Sequence, residues 1–169
     1  MGETAMRIRR ATDSDIPGIN KLLHQVLMVH HNGRPDLFKP DVKKYTDNEL
    51  ENIISDGKTP VFVAVEGVQD EGGAEREEVL GYAFCIFQQH INDNILTDIK
   101  TLYLDDLCVD EEKRGMHIGK SLYEYVLAFA KEQQCYNVTL NVWACNTSAM
   151  KFYETCGLVP QKIGMETIL

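Results

Sequence analysis

Leu107-Cys108-Val109-Asp110-Glu111-Glu112-Lys113-Arg114-Gly115-Met116-His117-Ile118-Gly119-Lys120-Ser121-Leu122 is the stretch on which the fold turns. A β-rich run ends at Val109, a turn carries Arg114 and Gly115, and an amphipathic helix opens at Ile118 with its stripe continuing through Leu122, Val126 and Phe129. A strand, a tight turn and a helix N-terminus together make an anion cradle. Unpaired N–H groups converge on one centre, and the helix dipole favours negative charge there. The dipole contributes about 0.3–1 kcal/mol, rising to about 2 where the site is partly buried. Small residues such as Gly115 and Gly119 let the backbone come close to a phosphate.

Two familiar phosphate motifs do not fit. Gly119-Lys120-Ser121 has the ending of a Walker A loop, but Arg114 stands where that loop needs its first glycine. A dinucleotide fingerprint fails as well, because no G-x-G-x-x-G follows the first strand.

Working outward, Arg7–Arg9 reads as a short strand. Thr12–Asp15 resembles a capping box, and Ile16, Ile19, Leu23 and Val26 follow at helical spacing, with Pro17 in the first turn and an end near His30–Gly33. Thr46–Glu49 is a second capping box, with Leu50, Ile53 and Ile54 as its stripe and Gly57 as its stop. Val61–Val65, Val79–Gln89 and Thr101–Val109 read as strands, the acidic Gly67–Glu78 as an exposed loop and the polar His90–Asp98 as a turn. Val138–Trp143 is β-rich, Asn146–Thr155 is a short helix closed by Gly157, and a last strand is expected over Leu158–Ile168. The order β-α-α-β-β-β-α-β-α-β predicts a single α/β domain over residues 1–169, a mixed central sheet with helices on both faces.

Composition bounds the rest. A chain of 169 residues with 44% hydrophobic residues suits one domain with a full core. Its longest apolar runs are a few residues long, so no membrane span is expected. Met1–Arg10 lacks the apolar core of a secretion signal, and Met6 stands where a myristoylation motif wants Ser or Thr. With 17 Lys+Arg against 26 Asp+Glu, the net charge of −9 argues against a nucleic-acid surface and is compatible with a cationic small molecule or a basic peptide. The five cysteines show no metal or redox spacing, and reduced thiols in a cytoplasmic protein are expected. His30 and His31 lack further ligands at metal spacing, so no metal is expected.

Arg114-Gly115-Met116-His117-Ile118-Gly119 resembles the pyrophosphate loop of the GNAT superfamily of acetyl-CoA-dependent N-acetyltransferases, Arg/Gln-x-x-Gly-x-Gly/Ala, with His117 in place of the central glycine. Asn146-Thr147-Ser148-Ala149-Met150-Lys151-Phe152-Tyr153, followed by Gly157, resembles the second block of that family, and the likeness extends over nearly the whole chain. It implies acetyl-CoA as co-substrate, with Arg114 to Lys120 on the pyrophosphate. Leu107, Cys108 and Val109 would pair with the pantetheine arm in a gap between two splayed strands. Asn146 would bind that arm or cap its helix, and Tyr153 would stand beside the CoA sulfur as general acid. His117 would either donate to phosphate or point to solvent.

Tyr103-Leu104-Asp105-Asp106-Leu107-Cys108-Val109 resembles the corresponding strand of the diamine, spermidine/spermine-type, acetyltransferases. Some relatives carry a carboxylate base five residues before the family Asn, where this chain has Asn141. Asp105 is the first choice for base, with a water-relayed or substrate-borne route and a purely structural role for both acids left open; neighbouring strand residues alternate, so one Asp would face the cleft and the other be structural. Cys108 is expected near the cofactor but not as a nucleophile, since the family transfers directly. The segment His30–Pro40 would close over the acceptor, a small-molecule or peptide amine, polyamines included. The sequence leaves open the acceptor, the oligomeric state (a homodimer included) and a non-catalytic acyl-CoA-binding module on the same scaffold.

Overall fold

The computed structural model describes residues 4–70 and 72–169, so Met1–Glu3, read above for targeting signals, and Glu71 lie outside it. The strands are β1 (Thr4–Arg10), β2 (Val61–Gln69), β3 (Glu75–Gln89), β4 (Lys100–Val109) and β5 (Asn137–Thr139). The helices are α1 (Ile16–Gly33), α2 (Asp47–Ser55), α3 (Ile118–Glu132) and α4 (Thr147–Thr155). One sheet runs in the order β1-β2-β3-β4-β5, antiparallel except for the parallel β4–β5 pair.

The alternation of β2 explains why it reads as an unbroken apolar run. Val61, Val63 and Val65 pack with α1 and α2, whereas Phe62 and Ala64 pack on the α3 and α4 side. Both faces are therefore buried, as expected. Ile16, Ile19, Leu22 and Leu23 form the buried stripe of α1, and Ile118, Leu122, Tyr123, Val126 and Ala130 that of α3. Gly81 makes the second contact possible: a Cβ there would stand 2.9 Å from the Cys108 carbonyl and 3.0 Å from Leu122. Asp15 is buried beneath β1 and accepts from both Arg9 Nη groups (2.8 and 2.9 Å) and from the Thr12 N–H.

Three expectations are corrected. The stretch Gly67–Glu78 is mostly strand, because β2 and β3 stay paired out to Gln69↔Glu75. Its polarity reflects exposed hairpin faces, braced by Arg7 and Arg9 on Glu77. The β-rich Val138–Trp143 contributes only the end of β5, since the chain leaves β4 after Thr139. The strand expected over Leu158–Ile168 does not form: a β-rich sequence becomes a strand only by pairing, and these residues have no ladder partner. Val159, Ile163, Met165 and Ile168 are left exposed. Among the described residues, no helix is long and apolar enough to cross a membrane.

Candidate active site

Between β4 and α3 the chain makes a 3-10 turn at Glu111–Lys113, held by the Asp110 carboxylate, which accepts from Glu112 N–H. Asp110 is itself buried and pinned by Lys21 at 2.7 Å. Gly115 then takes φ +83° and His117 φ +60°. This left-handed pair turns the backbone so that Met116 and His117 are exposed and α3 begins at Ile118. The first inward bond of α3 runs from Ser121 N–H to the His117 carbonyl, 3.0 Å. Among the described residues, the six N–H groups from Gly115 to Lys120 donate to no protein acceptor. Such a run of free donors at a helix N-terminus fits a pyrophosphate.

The gap lies beside this loop. β3 pairs with β4 along its whole length, from Gln89↔Lys100 to Gly81↔Val109. β5 pairs only with Thr101, Leu102 and Tyr103, so the other edge of β4 is open from Leu104 to Val109. That open edge includes Leu107, Cys108 and Val109. Across the splay, Asn141 Nδ2 donates to the Tyr103 hydroxyl at 3.1 Å, so Asn141 bridges the two walls and is no base. Above the gap, Phe38 meets Trp143 edge to face at 5.2 Å, and a Cβ on Gly33 would lie 2.7 Å from Cys145 Sγ. The end of α1 and the loop after it therefore pack against the segment that follows β5.

At the gap's other end the pairing of β3 with β4 slips: Phe84 faces Asp106 and Cys85 faces Leu104, leaving Asp105 as the extra residue. Such a bulge breaks alternation. Asp105 and Asp106 consequently do not point to opposite faces. Both Oδ2 atoms lie 3.7 Å from the Lys44 ammonium. The Asp105 side chain is 29% exposed and that of Asp106 12%. Tyr82, buried in β3, donates its hydroxyl to Asp106 at 2.9 Å. Burial raises the Asp106 carboxyl above the ordinary carboxylate range, against the pull of Lys44 and Tyr82.

Tyr153 projects from α4, packing edge to face on Phe152 at 5.3 Å. Its hydroxyl makes no hydrogen bond within the described residues. Burial, then the charge of Asp106, holds its phenol well above the ordinary tyrosine value, so it keeps its proton at neutral pH. The same field reaches Cys108, whose thiol is pushed up to about 12 by burial and then by Asp106. A thiol so placed is not a nucleophile at neutral pH. Asn146 caps α4, its side chain accepting from Ala149 N–H at 3.2 Å. Gly119 faces Phe152 and Val109, where a Cβ would stand 3.4 and 3.5 Å away, so it joins α3 to α4 and β4. Lys120 lies on the exposed side of α3, 3.8 Å from Glu124.

Sequence reasoning missed Lys44, Tyr45 and Tyr82. Tyr82 carried a signal, since a tyrosine in a strand buried on both faces needs a partner for its hydroxyl. Lys44 carried none: only the fold brings it to β4. No group of three or more potential metal ligands is assembled among the described residues.

These features agree with the comparisons. The chain is 33% identical over 120 residues to glucosamine 6-phosphate N-acetyltransferase of Arabidopsis thaliana, covering 70% of this chain and 72% of that protein. It is 25% identical over 160 residues to a probable glucosamine 6-phosphate N-acetyltransferase of Drosophila melanogaster, covering 94% of this chain and 63% of that protein. The crystal structure of the BH1408 protein tetramutant from Bacillus halodurans superposes with a TM-score of 0.85 at 30% identity, over 96% of this chain and 99% of that one. Residues 28–158 match the acetyltransferase (GNAT) family, whose enzymes use acetyl-CoA as co-substrate, and the chain belongs to that family.

Proposed function

We propose that this acetyltransferase moves the acetyl group directly to the primary amine of a cationic small molecule or a peptide. The observation that carries this reading is the carboxylate pair Asp105–Asp106, gathered on one face by the bulge at the end of the open β4 edge. Acetyl-CoA supplies an activated thioester when bound. The free N–H groups of Gly115–Lys120 receive its pyrophosphate, and the edge of Leu107–Val109 receives its pantetheine arm. Asn146, already bonded as a cap through Oδ1, offers its Nδ2 to the same arm.

An alkylammonium must lose a proton before it attacks, which at pH 7 costs about 4–5 kcal/mol from a pKa near 10.4. The carboxylate pair attracts the ammonium and accepts that proton. Sequence favours Asp105 for this step. The hydrogen bond from the Tyr82 hydroxyl, which fixes the Asp106 carboxylate, supports Asp106 as the acceptor of the proton. Asp105 then supplies the second charge on the ammonium. Tyr153 stays protonated until it donates to the departing thiolate.

The names of the relatives support a second acceptor, an amino-sugar phosphate, for which Lys44 is the available cation at this end of the gap. The five unpaired cysteines suit a reducing compartment such as the cytoplasm. The test is CoA release from acetyl-CoA with a panel of putrescine, spermidine, glucosamine 6-phosphate and a peptide with a free N-terminus. A diamine or peptide accepted at least tenfold better than the sugar phosphate supports the first reading. The reverse order supports the second. Tight acetyl-CoA binding with no release for any amine overturns both.

A further inference from the structure

The loop between α1 and α2, residues 34–46, delivers Lys44 to the carboxylate pair. Three groups surround its ammonium: Asp105 Oδ2 and Asp106 Oδ2, each at 3.7 Å, and the Tyr45 ring, whose centroid is 5.2 Å away. Two carboxylates and an aromatic face are the chemistry that recognises an alkylammonium. The ring is fixed in turn by stacking on Phe84, the residue paired with Asp106 across the bulge. His30, at the end of α1, also lies in the field of Asp106, but burial lowers its pKa, which leaves Lys44 as the charged partner.

The two halves of the loop that carries Lys44 are held in different ways. Its first half is tied down by Leu37 and Phe38 N–H groups on the Arg34 carbonyl, by His31 Nδ1 at 2.6 Å from the Phe38 carbonyl, and by Arg34 on Asp36 and Glu166. From Lys39 to Tyr45, no backbone N–H or carbonyl is bonded to another backbone group among the described residues. Asp41 in this half takes φ +49°. The half that holds Lys44 is thus fastened through side chains, with Asp41 3.5 Å from His24, Lys43 on Asp47 at 2.9 Å and Tyr45 stacked on Phe84.

We propose that Lys44 is a specificity-determining residue, its ammonium filling the seat that an acceptor's own ammonium takes, so that an acceptor binds by displacing it. The inference rests on the reading that the acceptor amine is received by Asp105 and Asp106. Weakly cationic amines then fail to enter, and diamines, which bring a second charge, compete best. Lys44 touches neither the thioester nor the loop at Arg114 in this scheme, and its effect falls on acceptor affinity.

The test is calorimetric titration of the full chain, saturated with CoA, using 1,4-diaminobutane as the probe. Lys44→Met, which keeps the stem and removes the charge, is expected to bind the diamine at least tenfold more tightly than the wild type. Lys44→Arg, which keeps the cation, should stay within threefold of it. Equal or weaker binding by the Met variant, or no binding by any form, overturns the proposal. A thermal melt checks folding, and Lys44→Gln is read in place of the Met variant should that one melt early. Transfer kinetics with the best amine of the panel add a second readout, a lower KM in the Met variant. Absence of transfer by the wild type would sink the acetyl-transfer reading, whereas unchanged diamine affinity would sink only the role of Lys44. A Met variant that loses affinity for glucosamine 6-phosphate would make Lys44 a phosphate ligand and overturn the displacement.

Discussion

The two ends of the gap are built from different materials. The proposed phosphate end is backbone: six free N–H groups, a glycine at φ +83° and a histidine at φ +60°. The proposed acceptor end is side chain: two carboxylates, a phenol and an ammonium, drawn from β4, β3 and a loop some sixty residues earlier in the chain. A backbone site binds a constant partner, because its donors cannot be mutated away. A side-chain site can change partner with one substitution. The difference predicts that changes at the first end move affinity for acetyl-CoA and changes at the second move rate and choice of amine.

Tyr153 stands between the two and gives the largest expected effect. Tyr153→Phe keeps the packing on Phe152 and removes only the proton donor. Single-turnover transfer should slow by about 10²–10⁴-fold, with acetyl-CoA affinity within threefold. A wild-type rate would leave Tyr153 as a packed aromatic. Asp106→Asn comes next, with a loss of about 10²-fold in kcat/KM and again little change in acetyl-CoA binding. Since burial raises the Asp106 carboxyl, the wild-type rate should fall with acid at a pH above the ordinary carboxylate range, and this limb should vanish in the Asn variant. The sign for stability is the same as for any raised acid. The native state holds the proton more tightly than the unfolded chain, so this group's contribution is present in acid and lost as pH rises through its folded value.

Met116→Glu should do the opposite of these two. It places a negative charge on an exposed side chain beside the free N–H groups, and should raise the acetyl-CoA dissociation constant about tenfold, or about 1.4 kcal/mol, at an unchanged single-turnover rate. A variant that slowed transfer without weakening binding would erase the division between the ends. The smallest effect belongs to His117→Gly. Relief of a left-handed residue should stabilise the fold by about 1 kcal/mol, seen as a melting temperature about 2–4 °C higher. Calorimetry with acetyl-CoA then tells whether the imidazole also donated to phosphate, in which case the Gly variant binds less well.

The same division explains what could be read from the residues alone. The phosphate end was legible because its geometry is local: Arg114 to Gly119 and the cap at Asn146 each act within one turn of the chain. The acceptor end was not, because the bulge at Asp105 exists only in the pairing of β4 with β3. Alternation, applied without that bulge, separates Asp105 from Asp106 when they in fact share Lys44. The missing strand at Leu158–Ile168 has the same root. Helix signals such as the capping box at Thr46 are contained in a few neighbouring residues, and that helix starts where its cap says. A strand is completed by a partner that the local sequence does not name.

On the reading proposed above, the early departure of β5 also ties the sheet's stability to the concentration of the ligand received there. Half of β4 has a ladder on one side only, which is the exposed condition of any edge strand. A ligand that pairs along that edge takes the place of the absent neighbour and acts by mass action on folding. At one hundred times its dissociation constant it adds about 2.7 kcal/mol. If acetyl-CoA lies along this edge, its supply sets in part the folded population and the resistance of the edge to pairing with other chains.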